Sequence, residues 1–237
     1  LALGAKKVED WTLDEVLAKV AEANGGVEAI ERVLNARFIG NVEGGDVAYD
    51  FLLLKRRPNK MRSRMMMRDK VVETGFDGSI VWRRFELGDY DKVELIDDPE
   101  FIRTIELEAD FDGPLIGEAA KGLTLELKGV ERIDRIDYFV IEVKSEKSSA
   151  LHYVDTRTFR ELKLVKTVLR EGMDPLVITS NFHDIEKYSG IWVSRRVEKE
   201  TSDGDKETIH ITTVEMNPGI LDFSFKMPKE RNPVPGN

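Results

Sequence analysis

The chain has 237 residues, 41% hydrophobic and 34% charged, a formal net charge of -9 and no cysteine. That is enough apolar material for a core, and the acidic balance argues against a dedicated nucleic-acid binder, which works by neutralising phosphates. The missing thiols exclude disulfide frameworks, thiolate metal sites, iron–sulfur clusters and a cysteine nucleophile, and the apolar runs are too short to cross a bilayer.

The first element is a helix. Thr12 can cap it, and Glu15 stands three residues later, as a capping box requires. Leu13, Val16, Leu17 and Val20 follow at helical spacing, and Asn24-Gly25-Gly26 ends the run. A second short helix is expected from about Val27 to Leu34. Strands come next: Arg37 to Val42, then Val47 to Arg56, separated by a turn at Glu43-Gly44-Gly45-Asp46. Lys60 to Met67, Lys70 to Phe76 and Ser79 to Phe85 continue the pattern, with turns at Pro58-Asn59 and Asp77-Gly78. Asp98 caps a helix that has Pro99 at its first position and runs to about Ala109. A turn of helix is expected over Leu115 to Ala120.

From Leu123 onward the chain again reads as strands: Leu123 to Arg132, Ile136 to Ser145, Ser149 to Asp155, Leu162 to Leu169, Leu176 to Ile185, Ile191 to Glu200 and Glu207 to Glu215. Most neighbours are joined by short turns, so the pairing should be largely antiparallel. No linker divides the chain. A single domain over 1–237 is expected, with loose ends at 1–8 and 229–237. The chain starts at Leu1 rather than Met, so a processed start is expected. A cleaved secretory leader is one source and an expression boundary another.

Four segments resemble the outer-membrane lipoprotein-sorting family of LolA-like proteins. Phe76-Asp77-Gly78-Ser79-Ile80-Val81-Trp82 is similar to the family's turn-and-strand ending in Trp. His152-Tyr153-Val154-Asp155-Thr156-Arg157-Thr158 is similar to its YYVD-x-x-T strand and turn. Asn181 to Val193 is similar to a hairpin of the form Y-x-D-Y-x-x-x-G-x-x-x-P, with Ser194 where Pro is usual. Val214-Glu215-Met216-Asn217, followed by Phe223 to Pro228, is similar to the closing segment. The resemblance implies an α+β, mostly β fold: an incomplete, strongly curved antiparallel β-barrel with helices covering its concave side. It also implies a periplasmic protein, its leader removed, that shelters lipid or lipoprotein acyl chains in that cavity.

The residues offer a place for such a ligand. On a strand, alternate side chains share a face. Met61, Met65 and Met67 then point one way with Ser63, while Arg62, Arg64, Met66 and Arg68 point the other. Thioethers are flexible and polarisable, which suits variable acyl chains. Ordinary core packing under a helix is the competing reading, since Met is common in cores. Tyr49, Phe51 and Leu53 form a similar face on the preceding strand, and Phe38, Ile80 and Trp82 are expected to extend it. The other face should carry Lys55, Arg57, Arg62, Arg64 and Arg68, with Arg83 and Arg84 nearby. It fits an acidic partner or lipid headgroups or, more plainly, a solvated surface balanced by acids.

Catalytic signals are poor. His152, His183 and His210 fall on three separate strands without metal spacing, and Asp184 with Glu186 are two acids among 45. No phosphate loop, nucleophile elbow or dinucleotide fingerprint is present. The expectation is a non-enzyme with no cofactor, no metal and no nucleic-acid partner. An apolar-ligand carrier comes first. The alternative is an envelope protein-interaction module whose cavity is filled by its own side chains.

Overall fold

The computed structural model describes residues 7–44, 48–116, 122–146 and 148–231. The outer parts of both expected loose ends, most of the expected turn of helix at Leu115 to Ala120, and half of the Glu43–Asp46 turn lie outside the described residues. The helices are α1 (Leu13–Ala23), α2 (Val27–Arg32) and α3 (Pro99–Ala109). The strands are β1 (Asn35–Gly44), β2 (Tyr49–Arg56), β3 (Lys60–Met67), β4 (Lys70–Phe76), β5 (Val81–Leu87), β6 (Tyr90–Leu95), β7 (Thr124–Ile133), β8 (Ile136–Lys144), β9 (Ser148–Asp155), β10 (Glu161–Val168), β11 (Leu176–Tyr188), β12 (Ile191–Thr201) and β13 (Lys206–Met216). Their hydrogen-bonded order is β6-β5-β4-β3-β2-β1-β13-β12-β11-β10-β9-β8-β7, an open sheet whose terminal strands are β6 and β7. The hairpins from β1 to β6 and from β7 to β12 are all antiparallel, as their short turns demand.

The chain falls into two compact units. The first comprises the described residues up to Glu31 together with Pro114–Thr208; the second comprises Arg32–Gly113 and the described residues from Ile209 on. In the first unit α1 begins with the expected capping box: Glu15 N–H donates to Thr12 Oγ1 at 3.3 Å, and Thr12 N–H donates to Glu15 Oε2 at 2.8 Å. Val16 and Val20 are buried against Phe139, Ile141 and Val143 of β8 and Val154 of β9. Burying one such side chain stabilises the fold by about 1.5–3 kcal/mol. Trp11 adds its ring to this core, 5.7 Å from Phe139 and 5.3 Å from Phe159 between centroids. The far end of α1 is pinned by Trp192, whose Nε1–H donates to Ala23 O at 2.8 Å.

In the second unit α3 starts at Asp98, whose side chain accepts from Glu100 N–H at 3.0 Å, with Pro99 in the first turn. Ile105 and Ala109 are buried in a cluster with Met61, Phe76 and Val81. The chain leaving α3 is tied to the sheet. Phe111 N–H donates to Pro58 O at 3.2 Å, Lys55 Nζ donates to Asp110 O at 2.7 Å, and Arg57 makes two bonds to the Asp112 carboxylate.

The opposite face of the second unit's sheet holds a charged network. Glu73 is fully buried; Arg62 donates to Glu73 Oε2 at 2.9 Å, and Arg64 reaches Oε1 at 3.2 Å in an ion contact without hydrogen-bond alignment. Removing this carboxylate's charge strands two guanidinium groups. Both arginines reach solvent, so Glu73→Gln should cost about 1–3 kcal/mol, below the usual cost of breaking a fully buried pair. A denaturant melt with no change in midpoint would contradict it.

Arg84 and Asp91 form a second pair on this face, with two bonds of 2.7 Å, and Arg231 N–H also donates to Asp91 at 2.7 Å. The Arg84 hydrogen bonds hold the Asp91 carboxyl down from 3.8 to about 2, against the opposing effect of burial. A carboxyl whose folded value lies below its unfolded value stabilises the fold above the unfolded value, and loses that contribution as pH falls through the folded one. Asp91→Asn should therefore flatten the acid limb of the melting temperature between about pH 4 and pH 2. An acid limb of unchanged slope would show that this pair does not contribute.

Candidate functional site

Strand register in the second unit sorts side chains onto two faces, because residues directly opposite each other across a pair share a face. On the α3 side the first rung is Ala36, Lys55, Met61, Phe76 and Val81. The second rung is Phe38, Leu53, Ser63, Thr74, Arg83 and Glu94. The third is Gly40, Phe51, Met65, Val72, Phe85 and Lys92. Tyr49 and Val42 begin a fourth, and Met67, Lys70 and Leu87 continue it at the next position of their strands.

Helix α3 covers only the first rung and its border. Met61, Phe76 and Val81 are buried beneath it, with Leu53, Ile96, Phe101 and Ile102 packed around them. Phe38, Phe51, Met65, Val72, Phe85, Tyr49 and Met67 are only half-buried. The third rung is thus an apolar strip of two aromatic rings, a thioether and a β-branched side chain that is not fully filled by the unit's own atoms. Gly40 is fixed from two sides: a Cβ there would lie 2.0 Å from the His210 carbonyl oxygen of β13 and 2.8 Å from the Phe51 ring, so only glycine fits where strand and ring approach.

The expected wall is therefore largely assembled. Phe38, Tyr49, Phe51, Leu53, Met61, Met65 and Met67 share one face. Met61 differs from the other two methionines in lying under α3. Trp82 corrects the expectation. It pairs with Gly75 and lies on the opposite face, where its ring covers Gly75, its Nε1–H donates to Phe225 O at 2.8 Å, and Arg62 sits over it at 5.5 Å. It is wholly buried by the 3-10 turn Asp222–Phe225 and belongs to the fold's rear packing. Ile80 is exposed in the turn before β5.

The expected basic face is corrected in the same way. Arg62, Arg64 and Arg84 do share the rear face, where Glu73, Glu86 and Asp91 balance them. Lys55 and Arg83 lie on the α3 side instead: Lys55 is opposite Met61, and the Arg83 guanidinium lies 4.5 Å from the Phe101 ring of α3. Arg57 also turns to that side, 4.6 Å from the Phe111 ring. Each histidine faces an acid on its own: His152 with Glu161 at 2.8 Å, His183 with Glu198 at 3.3 Å and His210 with Glu43 at 3.9 Å. Among the described residues, no three His, Asp or Glu side chains gather as a metal site. Sequence reasoning missed Val72, Phe85, Thr74 and Gly40 and put Arg83 on the wrong face, because these places depend on cross-strand register.

No protein-family model and no curated protein sequence matches the chain. Solved structures do. A DUF1329 family protein from Desulfovibrio piger superposes with a TM-score of 0.61 at 12% identity, covering 90% of this chain and 97% of that one. An outer membrane lipoprotein-sorting protein domain assigned in Vibrio parahaemolyticus gives 0.60 at 13%, over 90% and 97%. A LolA superfamily protein from Nitrosomonas europaea gives 0.55 at 15%, over 87% and 97%. The fold is LolA-like. At these identities the likeness is one of architecture, so the LolA-like frame places the strands and helices, and the chemistry rests on this chain's own residues. Among the described residues no helix is long and apolar enough to cross a membrane.

Proposed function

We propose that this LolA-like protein is a non-enzymatic, periplasmic carrier that shelters lipid, or the acyl chains of a lipoprotein, on the apolar strip beyond α3. The observation that carries the reading is the half-buried third rung, Phe51, Met65, Val72 and Phe85, two rungs from the Met61, Phe76 and Val81 side chains that are buried under α3. A core would close over all of these side chains; a strip left half open on one side of a covering helix offers surface to a ligand. Each methylene that an acyl chain buries there contributes about 0.8 kcal/mol, so a chain of modest length reaches useful affinity without a polar contact. The lipoprotein-sorting assignment of the Vibrio parahaemolyticus domain supports the same class of cargo.

The test is direct. The purified protein is titrated with the neutral apolar dye N-phenyl-1-naphthylamine, and native mass spectra are recorded in parallel. Saturable dye fluorescence, displaced by a fatty acyl ligand, is the expected result, along with lipid mass on part of the protein. A protein that binds no dye and carries no adduct would favour a self-filled interaction module instead.

A further inference from the structure

The second rung breaks the apolar strip with four polar side chains, Ser63, Thr74, Arg83 and, at the edge, the exposed Glu94. Ser63 stands opposite Thr74, and Thr74 stands opposite Arg83, so the first three form a line across β3, β4 and β5. Directly opposite pairs hold their Cβ atoms about 4.5–5.5 Å apart, so one small polar group can touch two of these side chains at once. On one side of the line is the rung buried by α3; on the other is the half-open strip of Phe51, Met65, Val72 and Phe85.

Arg83 is placed unusually for a cation. Its guanidinium lies 4.5 Å from the Phe101 ring, its Nε is buried with no hydrogen-bond partner, and among the described residues it makes no ion pair. The acid across from it on β6, Glu94, is bonded to Lys92 at 2.8 Å; that bond lowers its pKa most, and Arg83 adds a weaker attraction through space without an ion-pair contact. The hydroxyls of Ser63 and Thr74 likewise have no hydrogen-bond partner among the described residues. The other arginines of this sheet are treated differently: Arg62, Arg64 and Arg84 on the rear face each meet a carboxylate. A guanidinium partly removed from water, whose facing acid is an exposed glutamate already bonded to a lysine, keeps a planar fork shaped for a carboxylate or phosphate.

We propose that the ligand of this strip is an amphiphile with one anionic end. Its acid group is bound by Arg83 and the Thr74 hydroxyl, with Ser63 continuing the polar line on β3, and its chain lies along Phe85, Val72, Met65 and Phe51. This rests on the carrier reading above and narrows it: the strip supplies affinity for the chain, and the polar line selects the head and fixes the ligand's direction. Strand register makes the geometry consistent, because the head group and the first methylenes fall on adjacent rungs of the same face.

The experiment compares laurate with 1-dodecanol, which share a chain and differ in charge. Each is used to displace N-phenyl-1-naphthylamine from the parent protein and from Arg83→Gln, Arg83→Lys and Thr74→Val variants, after thermal melts confirm that each is folded. The parent should prefer laurate by about tenfold or more, which is ~1.4 kcal/mol. Arg83→Gln should bring the preference close to one, Arg83→Lys should keep part of it, and raising the salt concentration should weaken laurate and not dodecanol. Equal displacement by the two ligands in the parent would overturn the anionic end while leaving the carrier reading intact, as would an unchanged preference in Arg83→Gln. A parent that binds neither ligand nor the dye would overturn both.

Discussion

Replacing Trp82 by Ala should cost about 3–5 kcal/mol, the range for truncating a large buried aromatic side chain. The indole is wholly buried, spans the rear of the second unit's sheet, and makes its hydrogen bond to Phe225 O at 2.8 Å. Its loss opens a cavity over Gly75, leaves a buried carbonyl without a donor, and removes the surface on which Arg62 lies. For a chain of this size the melting temperature should fall by roughly 10 °C. Gly75→Ala probes the same contact from below. A Cβ there would sit 2.2 Å from the indole, so the ring or the strand must move. A Trp82→Ala protein that melts within a degree or two of the parent would show that the C-terminal turn does not brace this sheet. Because Trp82 faces away from the apolar strip, the variant should keep dye binding wherever it remains folded.

The position of Trp82 shows where sequence reasoning reached its limit. Helix starts were legible because capping is local: Thr12 with Glu15, and Asp98 with Pro99, each satisfy backbone donors within one turn of chain. Most strands were legible because their apolar runs stop at Gly, Asn or Asp turns, such as Gly78 and Gly204 with their positive φ angles of 97° and 97°. Strand β6 was not. Its residues Tyr90 to Leu95 leave only Val93 buried, and a terminal strand with one inward side chain carries almost no alternation to read. The 3-10 turn Asp222–Phe225 was legible as a motif but not as a structure, since its partners Lys60, Arg62 and Trp82 lie more than a hundred residues away in sequence.

For the site, alternation along one strand was reliable and extension across strands was not. The split of Met61, Met65 and Met67 from Arg62 and Arg64 follows from the two-residue period of β3 alone. Carrying that face to β5 needs the register of two further hairpins, and a shift of one residue inverts every side chain. The register pairs Phe76 with Val81 and Gly75 with Trp82, so Trp82 goes to the rear and Arg83 to the front. Composition favoured the opposite choice, because tryptophan reads as apolar wall and arginine as surface. The glycine partners of the aromatic rings, Gly40 under Phe51 and Gly75 under Trp82, mark the two faces, and only the paired structure shows which ring each glycine serves.

The contrast between Met61 and Met65 gives the decisive measurement, since the two share a face and a chemistry and differ only in cover. Met61 is 4% exposed beneath α3, in contact with the cluster that includes Phe76, Ile105 and Ala109. A glutamate there has no route to water, so its charge must be buried at a cost of several kcal/mol or neutralised by taking up a proton. Met61→Glu should therefore unfold the protein or lower its melting temperature by well over 10 °C, since several kcal/mol translates to that shift in a chain of this size. Met65, one rung beyond the helix's cover, is half-buried between Phe51 and Val72. A glutamate at this position can reach solvent along the open strip, so the fold should survive with a much smaller shift. Apolar binding should not survive, because a hydrated carboxylate in the middle of the strip must be stripped of water before a chain can lie over it. Binding of N-phenyl-1-naphthylamine should fall by at least about tenfold, which needs only ~1.4 kcal/mol. If Met65→Glu destabilises the protein as severely as Met61→Glu, and the parent binds no dye, the strip is core and the carrier reading fails. If Met65→Glu leaves both stability and dye binding unchanged, the ligand lies elsewhere. Only the split outcome, fold kept and binding lost at Met65 with fold lost at Met61, supports a ligand surface that begins where α3 stops.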